Sequence, residues 1–149
     1  MFVFLGTLLL DQVSKLAVLF LMQPGQSIPV LSDFVRITFV RNSGAAFGLL
    51  SGNSVAFLLL MTSLAIAALL FLLLRSRRSD AQTSCYLVLV VAGAVGNLLD
   101  RLRFGEVVDF IDVGWKNVRW PVFNVADSAV TVGVLLFLYH SLLRRRPAG

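Results

Sequence analysis

One cysteine and one histidine are all that this chain offers of the side chains most used for metal ligation and for thiol or imidazole chemistry. A single cysteine makes no intrachain disulfide, and one cysteine with one histidine cannot furnish a zinc ligand set. Charge is scarce as well. Only 14% of residues are Asp, Glu, Lys or Arg, against 58% hydrophobic and a mean hydropathy of +0.87. A soluble core of this size would leave too much apolar surface uncovered, so the chain reads as an integral membrane protein. No basic stripe interleaved with aromatics appears, which argues against a nucleic-acid partner despite the net charge of +5. Internal repeats, low-complexity tracts and long linkers are also missing, and residues 1–149 read as one domain.

What is present is apolar chain in membrane-length runs. A helix crossing the bilayer needs about 20 mostly apolar residues. Four stretches supply them, at about 2–22, 54–74, 84–102 and 122–143, and predict a four-transmembrane-helix bundle. The first does not read as a cleavable signal peptide: it lacks a basic leader, outruns an apolar h-region, and is interrupted by Asp11 and Lys15. Arg75, Arg77 and Arg78 follow the second stretch, and Arg144, Arg145 and Arg146 end the fourth. The positive-inside rule puts these ends, and both termini, in the cytoplasm, where the arginines meet lipid headgroups. The longer loops, about 23–53 and 103–121, then face out. His140 would lie about 30 Å from carboxylates at the outer face, which excludes a Ser–His–Asp triad. Cys85 reads as small helix packing and His140 as an interfacial residue.

The outer loops carry strand signals. Between 34 and 41 the residues alternate, with Phe34, Arg36, Thr38 and Val40 on one face and Val35, Ile37, Phe39 and Arg41 on the other. The turn formers Asn42, Ser43 and Gly44 close that strand. A weaker hairpin pattern sets 113–115 and 118–120 around Lys116 and Asn117, while Pro24, Gly25 and Pro29 mark the exit from the first helix. Trp115 and Trp120 suit a membrane–water interface. A small sheet over the outer helix ends is expected.

Two aspartates set in apolar chain carry most of the functional signal: Asp109 in VVDFIDV (107–113) and Asp127 in FNVADS (123–128). A carboxylate there needs a partner, a wet cavity or a proton. Two in one partly dry site cannot both ionise cheaply, so one keeps a proton while the other can act as a base, as in acid proteases. A plainer reading stays open, because Asn124 looks like a helix N-cap and Asp127 would be favoured in the first turn whatever its function. Elsewhere, Gly93, Asn97 and Arg101 share a helix face beside Asp100, Ala92 and Gly96 form a small-xxx-small pair, and Asp11 and Lys15 are four apart. The spacing leaves open whether Asp11 and Lys15 form an internal ion pair or belong to the site. A proton- or cation-coupled transporter using the intramembrane aspartates is the alternative function, and a membrane chaperone binding partners by strand addition is a third.

The ordered set DQVSK (11–15), RNSGAAFGLL (41–50), GNLLDRL (96–102), VVDFIDV (107–113) and FNVADS (123–128) resembles lipoprotein signal peptidase, also called signal peptidase II. The resemblance runs from the first helix to the last, in order and with comparable gaps. It implies four transmembrane helices with a small extracytoplasmic β-cradle. The implied activity is removal of signal peptides from bacterial prolipoproteins, cutting on the amino side of a diacylglyceryl-modified cysteine in the cytoplasmic (inner) membrane. The family's catalytic aspartates match Asp109 and Asp127; positions lining the substrate site and its surroundings match Asn42, Asn97, Arg101, Asn124 and Ala126; and polar positions of more structural character match Asp11, Lys15 and Asp100. Asp112 reads as a bystander. The expected partners are diacylglyceryl-prolipoproteins and membrane lipids, and the enzyme is read as a monomer with no metal or organic cofactor.

The orientation is testable directly. A membrane-impermeant thiol reagent applied to sealed cells should label a cysteine introduced at Asn117 but not the native Cys85. The reverse pattern would overturn the topology.

Overall fold

In a computed structural model of the chain, residues 1–44, 55–76, 81–116 and 118–144 are described. Part of the RNSGAAFGLL motif (45–50), Arg77, Arg78, Asp80, Asn117, Arg145 and Arg146 lie outside them. Four helices are long and apolar enough to cross a membrane: α1 (Phe2–Leu21), α2 (Val55–Ser76), α3 (Ala81–Phe104) and α4 (Val125–Arg144). Between α1 and α2 come strands β1 (Ser27–Leu31) and β2 (Val35–Asn42); between α3 and α4 come β3 (Val107–Trp115) and β4 (Val118–Arg119). The four strands form one antiparallel sheet in the order β1-β2-β3-β4. The expected bundle and small sheet are therefore the observed fold.

The helix α3 is the axis of the bundle, the most buried of the four, and α1, α2 and α4 each pack on it. Its small residues explain why. Ala92 is fully buried, and a Cβ added at Gly93 would stand 2.3 Å from the Ala126 carbonyl oxygen of α4. At Gly96 the same atom would stand 2.5 Å from the Asp11 carboxylate of α1. In lipid there is no hydrophobic drive between helices, so close backbone approach of this kind is what holds them together.

The sheet is tied to the bundle by an apolar cluster of Val18 from α1, Phe39 from β2, and Val108 and Phe110 from β3. Three features depart from the sequence expectation. First, β1 forms where only a helix exit was expected: Pro29 sits in it, tolerated because β1 is an edge strand, and the register shifts between Pro29 and Leu31. Second, β2 does not alternate cleanly, because a bulge between Ile37 and Val40 sets two residues against one of β3 and turns Phe39 into the core. Third, α4 begins at Val125 rather than near 122. Phe123 is still paired with Ile111 of β3, and Asn124 then caps the helix. Cys85, expected to pack between helices, is exposed, whereas His140 meets the Tyr86 ring edge-on at 5.8 Å.

Close approach of α3 and α4 predicts a contrast between two glycines. Gly93→Ala should destabilise the protein by about 1–3 kcal/mol through overpacking against α4. Gly6→Ala, with nothing within 4 Å of its added Cβ, should be neutral or slightly stabilising through helix propensity. Thermal unfolding in detergent micelles measures both, and equal effects would contradict the close-approach account.

Candidate active site

The site is built where the middle of β3 meets the first turn of α4. Along β3, Val108 and Phe110 turn towards the α1 core, which sends Asp109 to the opposite face. The N-terminus of α4 is closed by a reciprocal capping box. The Asn124 Oδ1 accepts from the Asp127 backbone N–H at 2.8 Å, and the Asp127 Oδ2 accepts from the Asn124 N–H at 3.3 Å. The expected N-cap role of Asn124 is thus observed. It orients the amide so that Asn124 Nδ2 donates to Asp109 Oδ1 at 2.7 Å. One asparagine therefore starts the helix and holds a carboxylate of the neighbouring strand.

Each aspartate has a second amide partner. Asn42, at the end of β2, donates from Nδ2 to Asp109 Oδ2 at 2.8 Å, with its own Oδ1 accepting from the Gly44 N–H. Asn97 of α3 donates from Nδ2 to Asp127 Oδ1 at 2.8 Å. Arg101, one turn further along α3, donates to the carbonyls of Asn97 and Gly44. Asp109, Asp127, Asn42, Asn97 and Arg101 all line one cleft of about 500 Å³, whose other wall is apolar and includes Trp120, Pro121, Val122, Phe123 and Val130.

Burial, the largest influence, pushes the Asp109 carboxyl from the ordinary 3.8 to about 6. The hydrogen bond from Asn42 opposes that rise, the charge of Asp127 adds to it, and Asn124 and Lys15 oppose it more weakly.

Behind the cleft lies a second polar cluster. Lys15 is buried and salt-bridged at 3.0 Å to both Asp11 and Asp100. Asp11 also accepts the Ala126 N–H at 2.9 Å, satisfying one of the free donors at the start of α4. Asp100 accepts the Val108 N–H at 3.2 Å. This cluster therefore ties α1, α3, β3 and α4 together, and the Asp11–Lys15 ion pair, one of two readings that the spacing left open, is only half of it. Removing Asp11 alone would leave Lys15 with Asp100, contrary to the simple pairing that the i,i+4 spacing suggests.

Two of the residues matched to the substrate site and its surroundings lie outside the cleft lining. Ala126 is fully buried against α3, where it shapes helix packing, and is absent from the cleft lining. Asn124 is likewise fully buried and acts on the aspartates rather than on the open cleft. Asp112 is no part of the cleft lining. It accepts from Thr38 Oγ1 at 2.7 Å and from Arg119 Nε at 2.6 Å, pinning β2 and β4 to β3. Sequence reasoning missed Gln12, which donates to Asp11, Asp100 and the Gly96 carbonyl and accepts from Arg103. Its place beside Asp11 was the available signal. The apolar wall at 120–123 was missed as well, since four loop residues show no periodicity.

A family model described as signal peptidase (SPase) II matches residues 3–143. The chain belongs to the signal peptidase II family. The lipoprotein signal peptidase of Syntrophus aciditrophicus is 44% identical over 143 residues, covering 93% of this chain and 89% of that one. That of Geobacter sulfurreducens is 42% identical over 146 residues, covering 97% and 91%. Two solved structures of a bacterial membrane enzyme, obtained by the in meso method, share the fold. One superposes with a TM-score of 0.87 at 34% identity, over 99% of this chain and 89% of that one; the other with 0.81 at 37%, over 96% and 91%. Membership makes this chain a multi-pass membrane protease of the signal peptidase II type.

The Asp109 environment gives a pH-dependent prediction. The folded protein holds this proton more tightly than the unfolded chain, so the group's stabilising contribution is complete below about pH 4 and is lost as pH rises through about 6. The loss is on the order of 3 kcal/mol. Asp109→Asn cannot ionise. It should therefore melt above the unsubstituted protein at about pH 8, with the gap closing by about pH 4. A gap independent of pH would show that Asp109 ionises in the fold without penalty.

Proposed function

We propose that this peptidase removes signal peptides from diacylglyceryl-modified prolipoproteins, cutting on the amino side of the lipidated cysteine, with Asp109 and Asp127 as an aspartyl dyad. One observation carries the reading: two carboxylates from different elements, each held by two amide or backbone donors, line the same cleft beside an apolar wall. The names of the curated relatives supply the substrate class.

In this mechanism a water lies between the carboxylates. One takes its proton as the oxygen attacks the scissile carbonyl carbon, while the other, protonated, donates to the carbonyl oxygen. The tetrahedral intermediate collapses as a proton passes to the departing amine, leaving a new carboxyl-terminus on the signal peptide and a free amino group on the lipidated cysteine. Asn42 and Asn124 keep Asp109 aimed at the cleft, and Asn97 does the same for Asp127. Arg101, in the lining, would meet a peptide carbonyl. The diacylglyceryl group would enter from lipid along the apolar wall at 120–123, and the site would face outward, with both termini cytoplasmic. No step calls for a metal, a thiolate or an imidazole. The transporter alternative draws less support, because a coupled path needs polar residues along the whole bundle, and α2 contributes no acid among its described residues.

Asp109→Asn and Asp127→Asn should each lower turnover of a lipid-modified precursor peptide by at least about 1,000-fold in purified, folded protein, while precursor binding is kept. The double substitution should cost little more than either one, because the pair acts as a unit. Near-normal turnover by either single variant would put the chemistry elsewhere. Cleavage should also survive EDTA, Cys85→Ala and His140→Ala; loss in EDTA that zinc restores would sink the metal-free scheme.

A further inference from the structure

We propose that Lys15 is a positioning residue for the Asp109–Asp127 pair, acting through the single carboxamide oxygen of Asn97. The inference rests on the dyad reading above and assigns to the buried cluster behind the cleft a part in the reaction as well as in the fold.

The geometry is a short chain of hydrogen bonds. Lys15 Nζ donates to Asn97 Oδ1 at 2.8 Å, and Asn97 Nδ2 donates to Asp127 Oδ1 at 2.8 Å. The same Asn97 oxygen accepts from Asn124 Nδ2 at 3.1 Å, and that nitrogen also reaches Asp109 Oδ1 at 2.7 Å. Asp127 is thus two hydrogen bonds, and Asp109 three, from one ammonium. An ammonium has three donors and no acceptor, so it fixes which end of the Asn97 amide faces it. With the oxygen turned to Lys15, the NH2 must face Asp127. Rotating the amide by half a turn would set NH2 against NH3⁺ and oxygen against a carboxylate, two repulsive contacts in place of two attractive ones.

Lys15 itself has no freedom to turn elsewhere. It is 2% exposed and is held at 3.0 Å by Asp11 from its own helix and by Asp100 from α3. The charged groups around the relay are therefore Asp11, Asp100 and Arg101 from the helices, Asp109 from β3 and Asp127 from α4. Lys15 is absent from the cleft lining, so its effect on an occupant is indirect. That separates it from Arg101, which lines the cleft.

The pH–rate profile of precursor cleavage by purified protein tests the relay, with KM and kcat resolved at each pH. Lys15→Met should lower kcat at least about tenfold, leave KM within about twofold, and move the profile upward by about one pH unit, since the nearby cation that favours ionised carboxylates is gone. Lys15→Arg, which keeps the charge and donors, should bring the profile most of the way back. A purely structural lysine would instead reduce the yield of folded enzyme and leave the profile of the surviving molecules unmoved, and that result would overturn the proposal. Should Lys15→Met not fold, Asp11→Asn combined with Lys15→Met removes anion and cation together and carries the same expectation. If neither folds while Asn97→Ala does, Lys15 is structural only and the relay falls. Full turnover by Asp109→Asn or Asp127→Asn would instead defeat the dyad on which the relay depends, so the two failures are distinguishable.

Discussion

The rest of the structure depends on one buried ammonium. Lys15 stands between the carboxylates of Asp11 and Asp100 and against the amide oxygen of Asn97, and each of these partners has a second task. Asp11 caps a backbone donor of α4, Asp100 caps a backbone donor of β3, and Asn97 reaches Asp127. A charge this deep is tolerable only when paired and fully hydrogen-bonded, and breaking such a pair by removing one partner typically costs about 3–5 kcal/mol. The constraint runs in both directions. The lysine needs its partners, and the partners are thereby held at the positions from which they support the sheet and the start of α4.

Small residues make that arrangement possible. The Asp11 carboxylate can reach α4 only because Gly96 leaves room for it, and α4 can press against α3 only because Gly93 has no side chain. Apolar packing supplies the rest, through Val18, Phe39, Val108 and Phe110, which bring β2 and β3 down onto α1. The cleft is what remains between the sheet, α3 and the chain entering α4. One wall is lined with amides and acids and the other with Trp120, Pro121, Val122 and Phe123.

Much of this was legible in the sequence, for reasons that differ from element to element. The four helices were legible because membrane crossing imposes a length and a composition on contiguous residues, a signal that needs no tertiary context. The Asp11–Lys15 pair and the shared face of Gly93, Asn97 and Arg101 were legible because helical spacing is local. The cap at Asn124 was legible from the residue type alone, yet the helix start near 122 was not resolved, because Phe123 is apolar in either state. What stayed hidden was non-local. Nothing near Asp100 announces that it joins Lys15 from another helix, and nothing near Pro29 announces an edge strand, since its pairing to Arg36 depends on β2 folding back. Ala126 was read as a substrate-site position from its motif, but its total burial could be learned only from the packing of α4 on α3. Asp109 and Asp127 stood out for the opposite reason, as acids in a setting where an acid needs an explanation.

The capping box at the head of α4 has a further consequence. Asn124 closes the first turn of the helix and, with the same side chain, holds Asp109 across the gap. This end is buried, with Asn124 and Ala126 both without exposed surface and the Ala126 N–H held by Asp11. Unwinding one turn here would release Asp127 from its cap and Asp109 from one of its two amides at once. In the proposed mechanism, opening of this one turn would therefore disturb both carboxylates together.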